Sequence, residues 1–365
     1  MSVRAAVVGL GWAGRELWLP RLRSHPDFDL VAVVDPDPAA RTAVGAATGT
    51  PAHAEPDALD ARSVDLAVVA VPNHLHTTVA AGLLGRGVNV FLEKPVCLSG
   101  AEADTLADAE RDGGVLLAGS AARHRADVLE LAALLPELGR VRHVDLAWVR
   151  ARGVPRAGGW FTRRSEAGGG ALVDLGWHLV DTLTALLGPS PVREAVGATS
   201  DDFLNAGEWS AAWRREQPAA ALTGDVEDTA RGFLLREDGI SVSLRASWAS
   251  HEARDLSLIR IEGSAGTAEL RCTFGFSPNR QPESVLTLTR EGTTRRLPVP
   301  AEPIGAEYGR QLDGVPALLA DPAGRGRAVA EARTTVRLME RIYASARAVG
   351  RAGPGEPVHQ PTTSG

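Results

Sequence analysis

The chain is almost without lysine: of its 39 basic residues only Lys94 is a lysine, and the other 38 are arginines. Arginine keeps its proton in a protein, whereas a partly buried lysine can share its own and offers a compact point donor. The one lysine therefore marks a candidate for proton chemistry. Cysteine is nearly absent too. Cys97 and Cys272 alone argue against a disulfide framework and fit a reducing, cytoplasmic setting. No Cys/His cluster has zinc spacing, so no metal is expected. No apolar run reaches the roughly 18 residues of a membrane helix. Met1 to Ala13 is apolar but lacks a basic start and a cleavage site, so no export signal is read. The net charge of −6 argues against nucleic acid or an anionic membrane as the main partner.

What is present is enough chain for two domains: 365 residues, 44% hydrophobic. Short apolar strands alternate with helical periodicity up to about residue 122, the signature of a doubly wound parallel sheet. The first strand, Arg4 to Val8, runs into Gly9-Leu10-Gly11-Trp12-Ala13-Gly14. That fingerprint needs its first glycine for a tight turn, its second for close approach of backbone to a pyrophosphate, and its third for helix packing. A second strand ends at Asp35, 21 residues beyond Gly14, close to the spacing of the carboxylate that binds ribose hydroxyls. A carboxylate there repels a 2′-phosphate, which favours NAD over NADP, although nearby Arg41 keeps NADP in view. The third strand ends at Pro72-Asn73-His74-Leu75-His76 and the fourth at Glu93-Lys94-Pro95. Catalytic groups in open α/β sheets lie at such strand ends. His74 and His76 are expected to face the nicotinamide, with helix capping as the alternative.

The pattern changes after Ala122. Val141 to Val149, Gly232 to Leu235, Ile240 to Trp248, Leu256 to Glu262, Thr267 to Cys272 and Val285 to Thr289 alternate in period two, with turns at Asp238-Gly239, Gly263 to Gly266 and Glu291-Gly292. They predict an open, mostly antiparallel sheet with one face buried, whose other face invites self-association. The expected organisation is 1–122 for the dinucleotide-binding domain, 123–349 for the substrate-binding and oligomerisation domain, and 350–365 as a Gly/Pro/Ser/Thr-rich disordered tail. Within the second half, Gly168-Gly169-Gly170 opens a helix carrying Asp174 and His178. Four apart on a helix, they share a face, where a carboxylate can orient an imidazole for general-base work; an ordinary surface pair has the same spacing. The glycines are expected to admit a ligand close to the backbone. Trp160 and Trp177 flank this helix with flat faces for a cofactor ring and a substrate ring, and Trp209 and Trp213 lie in a segment, 200–225, that could shape the pocket.

With these residues in place the chain resembles the glucose-fructose oxidoreductase, inositol dehydrogenase and rhizopine catabolism (Gfo/Idh/MocA) family over most of residues 3–349. Four motifs carry the resemblance: Gly9 to Gly14, Pro72 to His76, Glu93-Lys94-Pro95, and Gly168-Gly169-Gly170 through Asp174, Gly176, His178 and Asp181. It implies a Rossmann domain, then an α/β domain with an open sheet, homodimers or homotetramers, and hydride transfer between NAD(P) and a hydroxyl of a sugar, aminosugar or cyclitol. By motif, Lys94 hydrogen-bonds the reacting oxygen, His178 exchanges its proton, and Asp174 orients His178 or the substrate. Pro72, Asn73, His76 and Glu93 hold the nicotinamide end. Of the segment Gly119 to Arg125 only Arg123 matches, as a substrate contact. The Ala/Arg/Gly-rich composition resembles that of actinobacterial proteins, where relatives act on aminoglycoside or nucleotide-sugar intermediates; Glu166, Asp201, Asp202 and Glu208 would suit an aminoglycoside. Two rival readings stay open: an NAD-dependent, redox-assisted glycoside hydrolase, and a non-catalytic NAD-sensing regulator.

Overall fold

The computed structural model describes residues 2–211 and 223–351. Trp213, much of the 200–225 segment and positions 352–365 of the expected tail lie outside the described residues. Ten strands and helices build the first sheet and its cover. In order these are β1 (Val3–Val8), α1 (Leu19–Ser24), β2 (Phe28–Val34), α2 (Pro38–Thr48), β3 (Ala52–His53), β4 (Leu66–Val69), α3 (His76–Gly85), β5 (Asn89–Leu92) and α4 (Gly100–Asp112), followed by β6 (Leu116–Ala118). All six strands are parallel, in the order β3-β2-β1-β4-β5-β6. The order reverses between β1 and β4, and the crevice beyond the carboxyl ends of such a pair is where this architecture binds its ligand. β4 is buried at every residue and β5 at three of four, as strands covered on both faces require.

The second half contains α5 (Ala126–Ala133), β7 (Val141–Val149), α6 (Arg164–Ala167), α7 (Trp177–Leu187), β8 (Val192–Ser200), β9 (Thr229–Arg236), β10 (Ser241–Ser247), β11 (Leu256–Gly263), β12 (Thr267–Cys272), β13 (Val285–Arg290), β14 (Thr293–Leu297), α8 (Ala306–Ala320) and α9 (Arg327–Arg351). The eight strands lie in the order β14-β13-β12-β11-β7-β10-β9-β8. The three expected hairpins are present, and the last turns through Glu291 and Gly292, both at positive φ, as a two-residue turn between right-twisted strands prefers. The pairing is not wholly antiparallel: β10 runs parallel to β7. More than 90 residues separate these strands, so no hairpin constrains their direction, and hairpin signals could not reveal it. β8 and α8 were not foreseen, and β14 was foreseen only as the return of the last hairpin.

One phase of the second sheet is buried: Val144, Leu146 and Trp148 of β7, Val242, Leu244 and Ala246 of β10, and Ile259 and Ile261 of β11. These residues share one apolar cluster with α7, with α9 and with one face of the parallel sheet. The division at 122/123 is crossed by α8, whose Leu312 and Val315 pack among Val7, Val33, Val68 and Phe91 on the other face of that sheet. Helix α9 extends to Arg351, so the first two positions of the expected tail are helical. Cys97 and Cys272 are buried and unpaired. Among the described residues no helix is long and apolar enough to cross a membrane.

Candidate active site

The glycine turn after β1 has three different steric environments. At Gly9, with φ of +94°, a Cβ would lie 2.6 Å from the Ala70 carbonyl oxygen, and at Gly14 it would collide with the Gly9 carbonyl. At Gly11 a Cβ would meet nothing within 4 Å. Protein thus closes the first and third positions and leaves the second open, as a pyrophosphate laid along the backbone requires. Leu10 and Ala13 complete the turn, and the Leu10 amide donates to Asp35 Oδ2 at 2.7 Å. The Asp37 amide donates to Asp35 Oδ1 at 2.9 Å. Arg41 turns its guanidinium onto the carbonyls of Asp35 and Pro36, at 2.7 and 2.8 Å. The ring of Trp12, 48% exposed, meets Phe276 edge-on at 5.4 Å.

Two strand ends converge beside this turn. Glu93 accepts from Trp18 Nε1 at 2.7 Å and from the Lys94 amide at 3.0 Å. Burial pushes its carboxyl up, against the pull of the Lys94 charge and of those two bonds. His76 is 1% exposed, with Nδ1 2.7 Å from the Pro95 carbonyl and Nε2 2.9 Å from the Val71 carbonyl. Burial lowers its pKa to about 4. Asn73 Nδ2 donates to the Ala167 carbonyl at 3.0 Å.

Lys94 leaves the end of β5 and reaches the second half of the chain, where its Nζ lies 2.6 Å from Asp174 Oδ1. Asp174 Oδ2 accepts from Trp248 Nε1 at 2.9 Å and lies 3.8 Å from Arg150 Nη1. The Lys94 ammonium also stands 5.8 Å from the Phe161 ring centre. His178 follows at the start of α7, its ring 5.4 Å from that of Trp148. Burial brings its pKa down to about 3; the Lys94 charge adds to this, Asp174 opposes it and Arg150 adds again. The imidazole is therefore neutral at pH 7. An ionised carboxylate held by two cations and an indole N–H, beside a neutral imidazole, can steady an ammonium and receive a proton from a nearby hydroxyl.

A family model described as an oxidoreductase family with an NAD-binding Rossmann fold matches residues 3–119, and the Gfo/Idh/MocA C-terminal domain matches residues 135–269. The chain belongs to the Gfo/Idh/MocA family of oxidoreductases. A protein of Amycolatopsis mediterranei (strain S699), provisionally named UDP-kanosamine synthase oxidoreductase subunit, is 70% identical over 95% of this chain and 96% of its own. The dTDP-3,4-didehydro-2,6-dideoxy-alpha-D-glucose 3-reductase of Streptomyces antibioticus is 28% identical over 94% and 97%. Among solved structures, GenD2 from gentamicin A biosynthesis in complex with NAD superposes with a TM-score of 0.73 at 27% identity, covering 95% of this chain and 94% of that one. This member of the family is thus an NAD-binding oxidoreductase of the group that acts on sugars and aminosugars.

Several expectations drawn from the family motifs meet a different placement. Arg123, expected at the substrate, donates through Nε to Asp181 Oδ2 at 3.0 Å and through Nη2 to Glu331 at 2.8 Å. A guanidinium this buried needs carboxylates, and α7 and α9 supply them. Trp177 is 4% exposed and belongs to the main core. Phe161, not its neighbour Trp160, stands over Lys94. Asn73 Nδ2 and both ring nitrogens of His76 meet backbone carbonyls, which ties the two strand-end loops to each other and to α6, while His74 is exposed. The residues Leu172–Gly176 before α7 are π-wound, so Asp174 and His178 are not one regular α-turn apart, and Asp174 turns to Lys94 and Trp248. The glycine run is filled by protein. A Cβ at Gly168 would lie 2.6 Å from Leu98, one at Gly169 would collide with the Tyr343 hydroxyl, and one at Gly170 with the Glu227 carbonyl. Glu227 Oε1 accepts from the amides of Gly170 and Leu172 and from Tyr343, a carboxylate on a helix start.

The sequence reading missed Trp248, Arg150, Trp148 and Phe161. For three of them a signal existed. The buried phase Val144, Leu146, Trp148 continues off β7 to Arg150, and the phase Val242, Leu244, Ala246 continues off β10 to Trp248. The Arg150 amide donates to the Ser247 carbonyl at 2.9 Å, so the two extensions run side by side into the site.

Proposed function

We propose that the protein oxidises a secondary hydroxyl of a nucleotide-activated hexose to a ketone, with NAD as the oxidant. The observation that carries this is the Lys94–Asp174–His178 cluster, placed at the carboxyl end of β5 beside the open Gly11 turn. The residues fit the cofactor: Gly9 to Gly14 and Asp35 would hold the adenosine and pyrophosphate end, and Glu93 and Lys94 would border the nicotinamide end. NAD supplies the acceptor for the hydride leaving the carbinol carbon. Lys94, as an ammonium kept in place by Asp174, donates to the substrate oxygen and stabilises its developing negative charge. The neutral His178 takes the hydroxyl proton as the carbon–oxygen bond becomes a carbonyl.

The name of the 70% identical relative supports the substrate class. Kanosamine is glucose with an amine in place of its 3-hydroxyl, and replacement through a ketone begins with oxidation at that carbon. The aminoglycoside alternative loses part of its support, since Glu166 pairs with Arg163 at 2.8 Å and Glu208 accepts from Trp209 Nε1 at 2.9 Å. The reading includes self-association through the outer face of the second sheet, where Phe233 is 53% and Val196 62% exposed, and operation in a reducing cytoplasm.

The test incubates the protein with NAD and with UDP-glucose, free sugars, cyclitols and aminoglycosides in turn. Reduced-nicotinamide absorbance and substrate mass are followed together. Absorbance rising with a loss of two hydrogens from UDP-glucose is the expected result. Cleavage of a glycoside without net reduction of NAD, or binding of NAD with no turnover across the panel, would overturn the reading.

A further inference from the structure

The segment that leaves β7 carries three arginines at even spacings: Arg150, Arg152 and Arg156. Arg150 points into the site, 3.8 Å from Asp174. Arg152, two residues on and so roughly 7 Å further along an extended chain, is exposed. Its backbone bridges to Ala249, one residue after Trp248. Its guanidinium lies 4.8 Å over the Trp209 ring, and the exposed His251 meets the same ring edge-on at 5.1 Å. Arg156 is half-buried, and its Nη2 is enclosed without a hydrogen-bond partner. Neither Arg152 nor Arg156 has a carboxylate partner among the described residues, although ion pairs hold most of the arginines around the site, among them Arg123, Arg125, Arg163 and Arg164.

An arginine laid flat on an indole has lost little freedom still to lose, and its donor fork faces outward, the geometry that matches phosphate oxygens. The nearby carboxylates are engaged elsewhere: Glu208 accepts from Trp209 Nε1, Asp255 from the Ala151 amide and Asp228 from the Phe203 amide. In a chain of net charge −6, two unpaired cations on one segment just outside the reacting cluster have an anionic counterpart to find.

We propose that Arg152, with Arg156, forms the subsite for the diphosphate of a nucleoside-diphosphate sugar whose hexose ring lies against Lys94 and His178. This deepens the reading above and rests on it. Arg152 takes the phosphate oxygens in a bidentate grip, and the Trp209–His251 corner borders the nucleoside.

The probe is UDP, titrated calorimetrically into protein already saturated with NAD so that the glycine turn is occupied, with uridine as the uncharged control. UDP should bind at least roughly tenfold more tightly than uridine, the worth of one charge-assisted contact. Arg152→Gln should remove roughly tenfold of UDP affinity. The Arg152→Gln/Arg156→Gln pair should bring it to the level of uridine, with NAD affinity unchanged in both. UDP binding no tighter than uridine, or UDP affinity indifferent to both variants, overturns the subsite. NAD reduction by free sugars in a protein that fails the UDP titration removes the subsite and leaves the dehydrogenase standing. UDP binding through Arg152 with no NAD reduction by UDP-glucose keeps the subsite and removes the reaction.

Discussion

Lys94 Nζ and Asp174 Oδ1 stand 2.6 Å apart although 80 residues separate them in the chain. The ammonium leaves the parallel sheet and the carboxylate leaves the helix that backs the second sheet, so the contact exists only when both halves are docked. It also divides the work inside the cluster. Asp174 is occupied by Lys94 and Trp248, and the imidazole of His178 remains neutral beside them.

Lys94→Ala should leave NAD affinity nearly unchanged and reduce turnover by roughly a hundredfold or more, the scale of one preorganised donor at a developing oxyanion. Steady-state rates with calorimetric NAD binding on the same preparation check both halves of the statement. Unchanged turnover would take Lys94 out of the chemistry.

Trp248→Phe keeps the buried ring and removes the N–H that donates to Asp174 Oδ2. Leaving a buried charged acceptor short of one donor costs about 1–3 kcal/mol of stability, readable by urea denaturation. Turnover should fall about tenfold, as a poorly held Asp174 no longer fixes Lys94, for a loss of about 1.4 kcal/mol. A variant as stable and as fast as the parent would show that the indole hydrogen bond is dispensable.

Gly170→Ala and Gly11→Ala should separate structure from binding. The first drives a methyl into the Glu227 backbone and should cost about 3 kcal/mol or more. At the second a methyl enters open space, so stability should change by less than about 0.5 kcal/mol. NAD affinity should nevertheless drop roughly tenfold or more, because that space is the approach to the pyrophosphate. Thermal melts with and without NAD decide the matter; equal melting losses in the two variants would contradict the assignment.

His76 and His178 make stability depend on pH below neutrality. In the unfolded chain each imidazole takes up a proton near pH 6.5, whereas in the folded protein they do so only near about 4 and about 3. Between these limits the unfolded state binds more protons, so stability is full above pH 6.5 and declines as pH falls. Each histidine contributes roughly 1.4 kcal/mol per pH unit. Urea midpoints from pH 7 to pH 4 should show the decline, and His178→Gln should flatten it by about one proton. A slope identical in parent and variant would mean that His178 is not held neutral.

Much of this protein was legible in one dimension. The glycine fingerprint, Asp35, the strand ends at Pro72 and Glu93, the lone Lys94, the Asp174/His178 segment and six of the second-half strands came from residue type and spacing, because turn chemistry and period-two burial are local. Tertiary packing decided the rest. The parallel seating of β10 beside β7 joins segments more than 90 residues apart, and no local signal encodes direction across that distance. It brings Arg150 and Trp248 together and so determines what Asp174 can bind. The glycine run at 168–170 reads as room for a ligand until Leu98, Tyr343 and Glu227 are seen to fill it. Arg123 reads as a substrate contact until burial commits it to Asp181 and Glu331. Sequence determined which residues are candidates for the chemistry, since that depends on side-chain type. Only the fold decided their partners, since a buried charge takes whichever opposite charge the packing brings within reach.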